Sequence, residues 1–364
     1  MKRNNNKAGQ TFRSLFAVII GTVFFYACSV EERPEMNFPG AEWEWMSDVT
    51  EYGWSEEGLQ AARDLTDELH TSAVMIIHKG KVVDAWGDLE YKYRCHSIRK
   101  SFLSALYGIH IEKGTISRDA TMAELGIDDN EGLSDLEKQA TVQMILQARS
   151  GVYHPALFET AAMTAAKPER HSAAPGEQYH YNNWDFNVAG TIYEQETGEA
   201  IHQSFMDRIA VPIGMQDYVP EDGRYVTGEE SRHAAYPFVM STRDMARFGH
   251  LFLNDGVWNG ERVLPEGWVE ESTAVHSVLE EERPDRGGYG YMWWVEVDGQ
   301  HFGSVESVPA GTYTARGARG HVLAVVPDLD LVFVHRTNTA VSGQRTTYDD
   351  IGLVFELVVN ALDH

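Results

Sequence analysis

Cys95-His96-Ser97-Ile98-Arg99-Lys100-Ser101-Phe102-Leu103 opens a run in which Ile98, Phe102, Leu103, Leu106, Ile109 and Ile111 recur at helical intervals until Gly114 ends it. Positions three apart share a helix face, so Lys100 reaches the Ser97 hydroxyl from one turn below. A serine hydroxyl is a poor nucleophile until a base takes its proton. A lysine serves as that base when burial and the positive end of a helix favour its neutral form. The same residues also fit a plain helix start, with Ser97 as cap and Lys100 as a solvated charge. No other serine in the chain has a lysine three positions on.

Outward from this run, Glu56 to Leu69 has helical apolar spacing. Ala73–Ile77 and Val82–Trp86 flank His78-Lys79-Gly80-Lys81 as a hairpin. Helical stretches follow over Thr141–Arg149, Phe186–Thr197 and Thr242–Leu253, divided by Gly and Pro. Strand signals return at Tyr289–Val297, Val322–Val326 and Leu331–Val334, and Asp349–Leu362 closes as a helix. Strands at both ends with helices between predict an α/β (α+β) domain. Its one sheet is built from both termini and flanked by helices, with a helical subdomain inserted at roughly 115–255.

Two further segments carry chemistry. In Tyr181-Asn182-Asn183, a tyrosine near a lysine can share its proton and pass it to a leaving group, while an asparagine holds the lysine and a substrate amide. The bland alternative is a buried aromatic before a turn-forming Asn pair. In Ala315-Arg316-Gly317-Ala318-Arg319-Gly320, a glycine beside a strand admits close backbone approach, and an N–H there can complete an oxyanion hole with that of Ser97. A glycine-rich turn with two solvated arginines also fits. Cys95 and His96 beside the serine read as structural; the aromatics Tyr153, Trp184 and Trp294 sit in segments that could line a pocket, although aromatics at such places are more often core.

The chain has 364 residues, 55 acidic against 30 basic, a net charge of −25, and an ordinary globular composition with 43% hydrophobic residues. That balance argues against nucleic-acid binding, which needs clustered cations. Two cysteines exclude a disulfide scaffold. Fifteen histidines without a H-E-x-x-H spacing argue against zinc, and no cofactor or metal is called for. Lys2, Arg3, Lys7 and Arg13 precede an apolar run from Leu15 to Ala27, which predicts an export signal over 1–27. Ala27-Cys28 resembles a bacterial lipoprotein cleavage site, with Cys28 as the lipidated residue, 28–44 as a tether and 45–364 as the domain. Loss of four cations and no acids takes the charge from −25 to −29.

Together these segments resemble the serine β-lactamase-related family, the class C β-lactamase and DD-peptidase-like hydrolases. The landmarks fall in family order: Ser97-Ile98-Arg99-Lys100, Ala140–Leu146 into Ser150-Gly151, Pro175-Gly176, Tyr181-Asn182-Asn183, Pro212–Met215, Ser241–Phe248 and Tyr289–Trp294. The resemblance implies Ser97 as the acylated nucleophile, Lys100 as its base partner, and Tyr181 and Asn183 as the Tyr-x-Asn element. Penicillin-recognising members carry Lys/His-Thr/Ser-Gly before the last strands; here the matching place is Arg316-Gly317-Ala318, with no hydroxyl. That departure is similar to the branch of 6-aminohexanoate-dimer hydrolase and carboxylesterases.

The expected function is an exported, envelope-bound serine hydrolase acting on an ester, amide or short peptide, with membrane contact only through the N-terminal anchor. Gly317 and the Ala318 N–H belong to its oxyanion side, and Arg316 is expected outside the pocket. The overall acidity favours neutral or cationic substrates. A β-lactamase or DD-peptidase and a catalytically silent binding protein of the same fold are the alternatives.

Overall fold

The computed structural model describes residues 36–279 and 287–362. The expected export signal and Cys28 lie outside them. The predicted hairpin forms as β1 (Ala73–His78) and β2 (Lys81–Gly87). Short ladders join β3 (Tyr93–Arg94) to β4 (Val239–Met240) and β5 (Val257–Trp258) to β6 (Glu261–Arg262). The remaining strands are β7 (Ser277–Val278), β8 (Gly288–Tyr289), β9 (Trp294–Val295), β10 (Tyr313–Gly317), β11 (His321–Val326) and β12 (Leu331–Arg336). With β1 and β2 they make one antiparallel sheet in the order β2-β1-β12-β11-β10-β9-β8-β7. The last strand pairs with the first, Ala73 opposite Arg336 and His78 opposite Leu331, so both ends of the chain build its centre.

Side chains alternate across this sheet. Val74, Ile76, Val322, Ala324, Leu331 and Phe333 pack on one face against helices α1 (Glu56–Asp67) and α9 (Tyr348–Asn360). Met75, Ile77, Leu323, Val325, Val332 and Val334 face the other way, toward the helical side. There lie α2 (Arg99–Glu112), α3 (Val142–Leu146), α4 (Ala161–Ala166), α5 (Asn183–Thr197), α6 (Ile201–Phe205), α7 (Thr242–Leu253) and α8 (Trp268–Ser272). Each large apolar side chain removed from water contributes about 1.5–3 kcal/mol. Two-sided burial explains why β1, β11 and β12 are continuous apolar runs.

Three stretches differ from the sequence expectation. The strand expected over Tyr289–Val297 is the hairpin of β8 and β9, turned at Met292 with φ +64°. A side chain at Gly290 would stand 2.1 Å from the Ser272 carbonyl oxygen, so the chain turns there against α8. The glycine-rich Ala315 segment is itself a strand, β10, and only Ala318–Gly320 forms the turn. The helix expected over Thr141–Arg149 stops at Leu146, and Ala148 follows with φ +55°. The expected tether is described from Met36 on, and that part lies against the body. Trp43 is buried, and the Arg247 guanidinium of α7 donates to the carbonyls of Gly40 at 2.7 Å and Ala41 at 3.2 Å.

Candidate active site

Helix α2 runs through the middle of the helical side with every residue from Arg99 to His110 buried. A 3₁₀ turn, His96–Ile98, leads into it, and Ser97 is half-buried on that turn. Lys100 lies one turn below, only 2% exposed. Its Nζ is 3.1 Å from Ser97 Oγ and 2.9 Å from Asn183 Oδ1, and it hydrogen-bonds the Tyr181 hydroxyl. The four side chains expected from the Ser-x-x-Lys and Tyr-x-Asn segments thus meet around one amine.

Local structure fixes each partner. Asn182 caps α5, its Oδ1 accepting from the Trp184 N–H at 3.0 Å, which sets Asn183 in the first turn. The Asn183 amide nitrogen donates to the Phe158 carbonyl at 2.8 Å, so its oxygen is left for Lys100. The Tyr181 ring stacks on Trp294 at 5.5 Å. Trp294 therefore supports the tyrosine. Trp184 is fully buried, donating its indole N–H to Asp129 at 2.8 Å. Tyr153 is buried as well.

Burial, with the Arg99 charge adding to it, pulls the Lys100 amine well below the ordinary lysine range. Burial pushes the Tyr181 phenol up to about 12, with its hydrogen bond to Ser97 and the Arg99 charge acting in the opposite direction. The environment favours a neutral amine and a protonated phenol side by side, which suits a lysine that accepts the serine proton.

On the other side of the nucleophile, β10 ends against the Ser97 turn. A Cβ added to Gly317 would stand 2.4 Å from the Cys95 carbonyl oxygen and 3.3 Å from His96 Cβ, so only glycine permits this approach. Ala318, next in the chain, is exposed at the wall of a cleft of about 560 Å³ that also contains Ser97 and Asn183. Arg316 is buried elsewhere, its Nη2 donating to the His301 carbonyl at 2.7 Å and its guanidinium over Trp294 and Phe302. Two other hollows, of about 660 and 590 Å³, have no serine beside a lysine.

Sequence reasoning missed several cleft residues. Phe158, Thr160 and Met163 form part of the wall, brought there by helix α4 and the loop before it, neither of which carries a motif. His96 lines it too, at φ +48°. The permanently charged Arg336 donates its Nε–H to His321 Nδ1 at 3.1 Å, so His321 carries its proton on Nε2, which faces Thr339 Oγ1 at 3.5 Å. The Thr339 hydroxyl, 2.7 Å from His96 Nε2, is then the donor, and His96 keeps its proton on Nδ1. Burial, then the charges of Arg94, Arg319, Arg336 and Arg99, lower the His96 imidazole to about 4, holding it neutral beside the nucleophile. Cys95 is fully buried, and burial pushes its thiol up to about 11, as fits a structural cysteine.

Comparison with known proteins identifies the family and the fold. A beta-lactamase family model matches residues 60–354. An uncharacterized protein of Alkalihalophilus pseudofirmus is 21% identical over 309 residues, 76% of this chain and 86% of that one. Among solved structures, a Bacillus anthracis protein assigned as a 6-aminohexanoate-dimer hydrolase superposes with a TM-score of 0.63 at 22% identity, over 82% of this chain and 80% of that one. EstCE1, described as a hydrolase with promiscuous acyltransferase activity, gives a TM-score of 0.58 at 17% identity, over 83% and 97%. With the strand order, the inserted helices and the Ser97–Lys100–Tyr181 cluster already in place, the match over most of the described residues means that the chain belongs to the beta-lactamase family and has its serine-hydrolase fold.

Proposed function

We propose that the protein is an exported serine hydrolase that cleaves an ester or amide through an acyl-enzyme on Ser97. The observation that carries this reading is the buried Lys100 amine held between Ser97 Oγ, the Tyr181 hydroxyl and Asn183 Oδ1. In the first step Lys100 takes the Ser97 proton as Oγ bonds to the substrate carbonyl carbon. The N–H groups of Ser97 and Ala318 receive the developing oxyanion. The carbonyl–leaving-group bond then breaks, and the proton returns through Lys100 and Tyr181 to the departing oxygen or nitrogen. Water repeats the sequence on the ester of Ser97, releasing the acid. Lys100 and Tyr181 share their protons, so the base role belongs to the pair.

Two observations weigh against penicillin or D-alanyl peptide chemistry. Gly317 stands where a hydroxyl is needed, and the Arg316 cation is spent on Thr314 and His301. The basic segment, the apolar run and Cys28 support export with a lipid tether at that cysteine. The test is Ser97→Ala: it abolishes hydrolysis of a p-nitrophenyl ester and labelling by a fluorophosphonate. Unchanged labelling removes Ser97 from the scheme, and a wild-type protein that never labels fits a silent binding protein. Turnover of nitrocefin or acylation by fluorescent penicillin moves the assignment to the β-lactam alternative.

A further inference from the structure

The cleft beside Ser97 carries a charge opposite to that of the chain. Arg94, Arg224 and Arg319 line it, all three exposed, with the acids Glu221 and Asp222. Asp222 is neutralised by Lys92, whose Nζ lies 2.6 Å from its Oδ2. The exposed free charges are three guanidinium groups against one carboxylate, with the buried Arg99 guanidinium on the Asn187 amide oxygen as a further cation, in a protein with 55 acidic and 30 basic residues.

These arginines also differ from most of the others. Arg63, Arg118, Arg170, Arg208, Arg243 and Arg262 each pair with a carboxylate. Arg99, Arg149, Arg247 and Arg336 are held by side-chain or carbonyl oxygens, or by the His321 ring. Arg94, Arg224 and Arg319 make no guanidinium hydrogen bond or ion pair with the described residues. Among the described residues Arg345, which lies outside this cleft, is the other arginine without such a partner, so three of the four idle arginines gather beside one nucleophile. Arg319 also occupies the β10–β11 turn at φ +69°, a left-handed conformation that costs an L-residue backbone energy and that glycine would take freely.

We propose that Arg94 and Arg319, with Arg224 at the rim, form a carboxylate-binding subsite, and that the substrate is an ester or amide bearing a carboxylate near its scissile carbonyl. This rests on the acyl-enzyme reading for its placement beside Ser97. A guanidinium presents a planar fork that matches a carboxylate with two parallel N–H···O bonds. A cleft lined by one sign of charge focuses its field locally, so it attracts an anion even where the whole protein repels it. The charge of the whole chain, which taken alone favours neutral or cationic substrates, is therefore the wrong guide at the site. Arg94 and Arg319 line the same cleft as Ser97 and His96.

The test compares two p-nitrophenyl esters of matched length, the hemiglutarate and the valerate, on the wild-type protein and on Arg94→Gln/Arg319→Gln. The expected result is a preference for the hemiglutarate, as the ratio of kcat/KM values, that falls at least about tenfold in the double variant. An unchanged ratio, including an equal loss on both esters, overturns the proposal. A second measurement separates this result from the acyl-enzyme reading. Calorimetry on Ser97→Ala with glutarate and with neutral glutaramide reads the subsite without chemistry. Glutarate binding that exceeds glutaramide binding and is lost on adding Arg94→Gln/Arg319→Gln supports the subsite, even if no ester is turned over. Equal binding of the two compounds refutes it, even if esters are hydrolysed.

Discussion

Gly317→Ala tests the oxyanion side of the site by adding one methyl group. Gly317 does not have a positive φ, so alanine meets no backbone strain there. The whole effect comes from space. The new Cβ would lie 2.4 Å from the Cys95 carbonyl oxygen and 3.0 Å from His321 Cβ, where ordinary contact begins at 3.4 Å. The strand end must withdraw by about 1 Å, because its nearest obstacle is backbone, and a misplacement of that size costs roughly 100-fold in rate. Loss of one oxyanion donor costs about 10²–10³ in kcat. Overpacking costs the fold about 1–3 kcal/mol, which leaves a protein of this size folded at room temperature. The assay pairs kcat on p-nitrophenyl acetate with the thermal unfolding midpoint. A folded variant whose kcat stays within about threefold of wild type refutes Ala318 as an oxyanion donor.

Three further outcomes are expected, two from the site and one from the N-terminal sequence. The acid limb of the kcat/KM–pH profile lies below the ordinary lysine value of about 10.4, because burial lowers Lys100 and the pair must lose a proton to act. A limb at the ordinary value contradicts a buried base. Lys100→Met abolishes turnover and raises the unfolding midpoint at neutral pH. The folded amine titrates below the unfolded one, so the unfolded chain binds the extra proton and burial of Lys100 costs stability there. That gain shrinks as pH rises from the folded toward the unfolded lysine value and is absent above it, and an equal gain at all pH values contradicts the cause. Cys28→Ser moves the protein from the membrane to the soluble fraction and removes labelling by an alkynyl fatty acid; labelling that persists places the lipid elsewhere.

Strands β1, β11 and β12 were legible because two-sided burial leaves continuous apolar runs, and helix α2 because its apolar residues recur at helical intervals. The break inside Tyr289–Val297 was not. Aromatic and β-branched residues favour a strand there, and the turn depends on Gly290 meeting Ser272 of α8 and on Ser101 of α2 donating to the Met292 carbonyl. Arg247 also belongs to a plain amphipathic helix in sequence. Its role in gripping residues 40 and 41 depends on a carbonyl cluster far away in the chain. Arg319 looked like a solvated arginine in a glycine turn. Its significance comes from Arg94, from the turn conformation and from the acids that are missing around it.

The amino-acid sequence alone determined the order of the motifs, and with it the identity of Ser97, Lys100, Tyr181 and Asn183 as one candidate set and the antiparallel sheet closed by both termini. The strands and helices follow from apolar period, while the joining of these four residues into one set follows from the resemblance of the ordered motifs to the family. The tertiary structure decided what spacing does not contain: that Lys100 is buried deeply enough to favour its neutral form, that Gly317 touches the Cys95 carbonyl, that Arg316 turns away, and that Arg94 and Arg319 face one cleft. Desolvation and Coulomb interaction act through space and depend on the local dielectric. A net charge of −25 therefore describes the surface as a whole, while the charge a substrate meets is set by the few side chains the fold gathers around Ser97.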